Sequence, residues 1–128
     1  MSKKILHIVE TAYRATLEEQ DDPVLWLAQS LRNNGADGHV LLRGNAVSYA
    51  VKGQDAAGLA FGERKQTQPP RLAEDLARLH ASGAALYVVD EELKERGIRS
   101  DELIEGVERV SVESLPRLFS EHAHVWQW

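Results

Sequence analysis

The 128-residue chain contains no cysteine. That excludes disulfides, thiolate metal sites and any nucleophilic thiol of its own. Basic residues are in deficit: 15 Lys and Arg stand against 20 Asp and Glu, a formal net charge of −5. A net-acidic surface repels phosphate backbones, so no direct nucleic-acid partner is expected. The acidity is uneven, with one cluster at Glu18, Glu19, Asp21 and Asp22 and another between Asp90 and Glu105. Long apolar runs are also missing. Ile5–Val9 is too short for a signal-peptide core or a membrane span, so a cytoplasmic protein without membrane contact is expected. There is no GxGxxG and no GxxxxGK[ST], hence no sequence support for a nucleotide site, and neither HExxH nor GxSxG occurs. No cofactor and no metal are implied.

What is present is ordinary globular composition, 43% hydrophobic and 27% charged, in a length that suits one core and one domain spanning 1–128. Short β-like runs alternate with helical ones. Ile5–Val9 is near-continuously apolar, the mark of a buried strand. Asp21 or Asp22 offers an N-cap and Pro23 suits a first helical position. Val24, Leu27, Ala28 and Leu31 then repeat at helical spacing up to a stop at Gly35. His39–Leu42 reads as a second strand and Ala46–Lys52 as a short helix. Gln54–Pro70 is broken by Gly58 and Gly62 and ends in an exposed loop. Leu72, Leu76 and Leu79 share a helix face that ends by Gly83. Ala84–Val89 is a third strand, Glu91–Arg96 a short helix closed by Gly97, and Val107–Val110 a brief fourth strand. Ser111 or Ser114 caps a last helix with Pro116 in its first turn, and His124–Trp128 is a terminal strand. Alternating strands and helices predict an α/β three-layer sandwich: a mainly parallel sheet of about five strands with helices on both faces.

In such sheets, ligands sit beyond the carboxyl ends of the strands. The candidate cleft is therefore Glu10, Thr11 and Tyr13 after the first strand, Arg43, Gly44 and Asn45 after the second, and Asp90 with Glu91 after the third. Thr11, Tyr13, Asn45 and Asp90 are its leading members. The amides at Gly44-Asn45 open a helix and could hold an anion. His122 and His124 share a face if both lie in the last strand, but two imidazoles lack the third ligand a zinc site needs. His7 sits inside an apolar strand as a core histidine. Trp126 and Trp128, two apart on a strand, point the same way and form a candidate interface.

Several segments resemble a known family. Val40-Leu-Leu-Arg-Gly-Asn-Ala-Val-Ser-Tyr-Ala-Val-Lys-Gly-Gln54 resembles the strand and short helix ending in Lys-Gly of DsrE-type sulfur-relay proteins. Leu86-Tyr-Val-Val-Asp-Glu-Glu-Leu-Lys-Glu-Arg-Gly-Ile98 resembles their strand and helix ending in Arg-Gly, and Ile104-Glu-Gly-Val the stretch that follows. Ile5–Val9 and His122-Ala-His-Val-Trp-Gln-Trp128 are similar to the DsrH (TusB-like) branch. The resemblance implies a five-stranded parallel sheet, homo- or hetero-oligomers with DsrE-family subunits, and a place in sulfur oxidation or sulfur relay. It also implies where the carrier cysteine of active members falls: eight residues before the glycine of the Arg-Gly pair, which here is Val89. Valine cannot ionise or hold a persulfide. The expectation is a non-catalytic, oligomer-forming subunit. The alternative is a small-molecule binding module, or a thiol-independent enzyme, that uses the cleft at the strand ends.

Overall fold

The computed structural model describes residues 3–12, 23–54, 60–65 and 71–128. Strand β1 (Lys4–Val9) leads to helix α1 (Pro23–Asn33), β2 (Asp37–Leu42) and a 3-10 helix (Gly44–Ala50). A small antiparallel hairpin follows, β3 (Ala60–Phe61) with β4 (Arg64–Lys65). Then come α2 (Leu72–Ala81), β5 (Leu86–Val89), α3 (Asp90–Glu95), β6 (Val107–Val110), α4 (Leu115–Ser120) and β7 (His124–Gln127). The main sheet has the order β6-β5-β2-β1-β7, and every pairing in it is parallel. The expected five-stranded parallel sheet with helices on both faces is what the chain builds.

The strand order explains the layers. From β1 through β2 and β5 to β6 the chain steps steadily toward one edge, and right-handed crossovers keep the intervening helices on one face. The connection from β6 to β7 runs back across the sheet and places α4 on the other face. Two cores result. On the first face Val9, Val40, Leu42, Leu86 and Val88 pack with Val24, Leu25 and Ala28 of α1 and Leu72, Leu76 and Leu79 of α2. On the second, Leu6, Ile8, Leu41 and Val89 pack with Leu115 and Leu118 of α4. Strands β1, β2 and β5 are covered on both sides, hence their largely apolar sequences, with His7 and His39 the buried polar exceptions.

Four local expectations are corrected. The helix expected over Ala46–Lys52 is a 3-10 helix that starts earlier, at Gly44. Gly44 adopts φ +57°, and the Ala46 N–H donates to the Glu10 carbonyl at 3.2 Å and the Arg43 carbonyl at 3.1 Å, drawing the chain into a tighter turn. Leu25, not Leu27 or Leu31, joins Val24 and Ala28 as the fully buried set of α1. Neither Ser111 nor Ser114 caps α4 with its side chain, because a 3-10 turn over Val112–Ser114 feeds it and the Ser114 hydroxyl donates to the Ser111 carbonyl at 2.7 Å. His122 precedes β7 rather than lying in it, so it does not share a strand face with His124. The caps expected at Asp21 or Asp22, the cluster from Glu18 to Asp22, and Gly58 lie outside the described residues, although α1 does begin at Pro23.

Candidate functional site

The carboxyl ends of β1, β2 and β5 lie side by side, and the residues just beyond them form one tied cluster. Glu10 follows β1, Arg43 follows β2, and Glu92 stands in the first turn of α3. The Arg43 guanidinium nitrogen Nε lies 3.5 Å from Glu10 Oε1 and 4.0 Å from Glu92 Oε1. The Gly44 N–H donates to the other Glu92 oxygen. The anion anticipated at the Gly44 amide is therefore the protein's own carboxylate. Arg96 extends the cluster, donating to Asn45 Oδ1 at 3.0 Å and to the Glu92 carbonyl at 3.1 Å. The Arg43 guanidinium thus stands between two carboxylates at the mouth of the sheet, while the ion-pair partner of Arg96 is Glu95, at 3.8 Å.

The remaining candidates do not converge on that point. Asp90 turns toward β6, where it pairs with Arg109 at 3.4 Å, and it also pairs with Lys94 at 3.0 Å. Glu91 accepts the Val112 N–H, 3.1 Å from both of its oxygens. Thr11 is exposed, and Tyr13 lies outside the described residues. The expected cleft is thus split: Asn45 goes with Arg96, Asp90 with Arg109. Glu92, Arg96 and Arg109 were not singled out from sequence: the first two lie in the mixed charge from Glu91 to Glu105 that reads as a solvated face, and Arg109 lies in the short Val107–Val110 strand. The one available signal was an acidic residue in the first turn of a helix that directly follows a strand.

Val89 ends β5 with 0% exposure. It faces the α4 side and packs within the cluster of Leu6, Ile8, Leu41, Leu115 and Leu118. On the same face, toward β6, an open groove of about 390 Å3 is lined by Tyr87, Glu108, Val110, Arg117, Leu118 and Glu121 among others. Burial, with Glu108 and Glu121 nearby, pushes the Tyr87 phenol above its usual range.

Burial lowers the pKa of two histidines, His39 and His7. His39 Nδ1 accepts the Ala85 N–H at 2.9 Å, which puts the ring proton on Nε2, 2.9 Å from Asp37 Oδ1. Burial lowers the His39 pKa, and His122 and Arg32 lower it further, outweighing the opposite pull of Asp37. The His122 ring lies 5.6 Å from that of His39, and its Nδ1 meets the Leu118 carbonyl at 2.7 Å. His7 is fully buried, and its Nδ1 accepts the Trp128 indole N–H at 3.3 Å. Burial, then the nearby His39, lowers its pKa. Its Nε2 has no hydrogen-bond partner among the described residues. No three His, Asp or Glu side chains come together as a metal-binding group among the described residues.

Trp126 and Trp128 lie on the same side, 39% and 38% exposed. Their rings meet edge to face at 6.4 Å over His7.

The profile of the DsrE/DsrF-like family matches residues 3–127. The chain belongs to that family. Among solved structures, the ychN protein from E. coli is similar, with 22% sequence identity, a TM-score of 0.72 and complete coverage of both chains. A protein of unknown function from Methanobacterium thermoautotrophicum, MTH1491, is similar at 18% identity and a TM-score of 0.63, again over both whole chains. At these identities the likeness shows the fold of the family. A comparison with curated proteins finds no match. Among the described residues no helix is long and apolar enough to cross a membrane.

Proposed function

We propose that this chain is a non-carrier subunit of a cytoplasmic DsrE-type sulfur-relay assembly, joining cysteine-bearing subunits of the same family or forming its own oligomer. One observation carries the reading. The position at which the family resemblance puts the carrier cysteine is Val89, and Val89 is sealed in the second core. With no cysteine anywhere in the chain, the fold stands without the atom that would hold a persulfide. Trp126 and Trp128 supply half-exposed aromatic surface of the kind that anchors interfaces. The reading of the strand-end cleft as a small-molecule site has less support, because Glu10, Arg43, Gly44 and Glu92 already satisfy one another.

The test is recovery of the tagged full-length chain from its native host, with light scattering on the purified material. The expected result is a defined oligomer or a complex containing a cysteine-bearing DsrE-family protein. In the latter case persulfide transfer between the carrier and its acceptor changes rate when this chain is withheld. A strict monomer that retains no such partner and leaves the transfer rate untouched would refute the reading.

A further inference from the structure

The sheet has two edges, and they are built differently. Edge strand β6 carries Glu108 and Arg109 at its centre, both exposed. Charges in the middle of an edge strand are a common barrier to pairing with another strand, because pairing would strip them of water. Edge strand β7 has no such barrier. His124-Val-Trp-Gln-Trp128 contains no Asp, Glu, Lys, Arg or Pro. All four residues of the strand are exposed, and the described strands pair with it only on the β1 side. Val125 is 38% exposed on the side opposite the two tryptophans.

We propose that β7 is a self-pairing edge. The β7 strands of two copies run antiparallel across a twofold axis and join two five-stranded sheets into one of ten strands. Three features favour a second copy of this chain as the occupant. First, an extended strand is the protein partner whose amides and carbonyls match the row along such an edge, taking the place of water there. Second, the chain carries a net charge of −5 and repels itself over most approaches. The charge-free strip at β7 is where two copies meet without opposing like charges, and a charged strand such as β6 would bury Glu108 or Arg109 against indole. Third, a twofold antiparallel pair sets each face of the strand against its own kind. The tryptophan side then meets tryptophans, and the Val125 and Gln127 side meets the same pair.

The tryptophans are also placed before any partner arrives. Trp128 is held by its hydrogen bond to His7 Nδ1, and Trp126 lies edge-on to the same imidazole at 5.5 Å. Little side-chain freedom remains to be lost on association. This proposal goes beyond the assembly reading above by naming the strand, its orientation and the partner.

The natural absence of cysteine makes the test clean, since a single introduced thiol is the only one in the chain. Val125→Cys and Gln127→Cys are made one at a time, with Glu113→Cys as a surface control. Each is oxidised mildly and run without reductant, while light scattering follows the unmodified protein and Val125→Lys. The proposal expects rapid symmetric cross-linking at position 125 or 127, none at 113, an even-numbered oligomer for the unmodified chain, and its dissociation to half that size in Val125→Lys with the far-ultraviolet circular dichroism unchanged. An oligomer that survives Val125→Lys and does not cross-link at β7 overturns self-pairing but leaves the assembly reading standing. So does a complex with another DsrE-family protein that Val125→Lys disrupts without any self-cross-linking. A monomer that cross-links nowhere and captures no partner overturns both.

Discussion

Restoring a thiol at Val89 should not by itself restore a carrier. In Val89→Cys the new side chain occupies a site with 0% exposure, among Leu6, Ile8, Leu41, Leu115 and Leu118. Two effects oppose reactivity there. Only the thiolate attacks, and an apolar surrounding disfavours the charged form. A reagent must also reach the sulfur, which requires β5 to come away from α4. Because β5 is an interior strand paired on both sides, by β2 and β6, its opening lies near the global end of the stability range. An opening that costs only about 2.8 kcal/mol slows the reaction roughly a hundredfold relative to an accessible thiol. The substitution itself removes a methyl group's worth of packing, about 1 kcal/mol. The assay is the rate of reaction with an aromatic disulfide at neutral pH, native against urea-unfolded, with persulfide uptake from a sulfur donor measured alongside. Slow native labelling that rises steeply in urea is expected, with no persulfide formed. Native labelling within about tenfold of the unfolded rate would refute the argument, because Val89 could not then be sealed as described.

Three other expectations follow from the same structure. Leu76→Ala, at a fully buried position between α2 and the first core, should cost about 2–5 kcal/mol in urea unfolding. A cost below about 1 kcal/mol would contradict the packing. Glu92→Ala removes the carboxylate that accepts the Gly44 N–H and lies beside Arg43, and should cost about 1–3 kcal/mol, whereas truncating exposed Glu113 should be close to neutral. Stability should also fall in mild acid. His7 and His39 both have folded pKa values below 6.5, so above that pH both states hold neutral rings and stability is flat. As pH drops below 6.5 the unfolded chain takes up protons before the folded one does, and stability declines toward the folded values. Asp37 adds a later loss. Burial raises its carboxyl, but His39 and Arg32 outweigh this and hold it below 3.8, so its contribution is present above 3.8 and disappears as pH falls through the lower folded value. Urea midpoints measured as a function of pH read this out, and a shallower decline in His39→Asn identifies that ring as a source.

Features set by neighbouring residues were legible in the sequence, while those set by distant ones were not. The Ile5–Val9 run reads as a strand because burial on both faces favours apolar side chains at nearly every position, His7 being the exception, and Leu72, Leu76 and Leu79 read as a helix from spacing alone. Val107–Val110 matches its strand residue for residue. By contrast, the tie between Gly44 and Glu92 joins segments brought together only by the crossover from β2 to β5, and nothing local marks Glu92 as different from Glu91 or Glu95. The meeting of His39 with His122 depends on α4 returning across the sheet. The β3–β4 hairpin went unread because strands of two residues have no measurable alternation. The candidate site was thus visible as a location, the ends of the strands, but its internal pairing was not.

The last strand in chain order lies against the first: Ile5 pairs with His124 and Ile8 with Gln127. That arrangement has a consequence for how the molecule comes into being. On a ribosome, β1 emerges early and finds β2 soon afterwards, but its other flank stays bare until β7 has been synthesised. Throughout that interval an almost wholly apolar strand presents an unpaired backbone, the situation in which nascent chains aggregate. Closure between segments so far apart in sequence also makes a late, slow step. Truncations that stop short of His124 should therefore be poorly soluble out of proportion to the few residues removed.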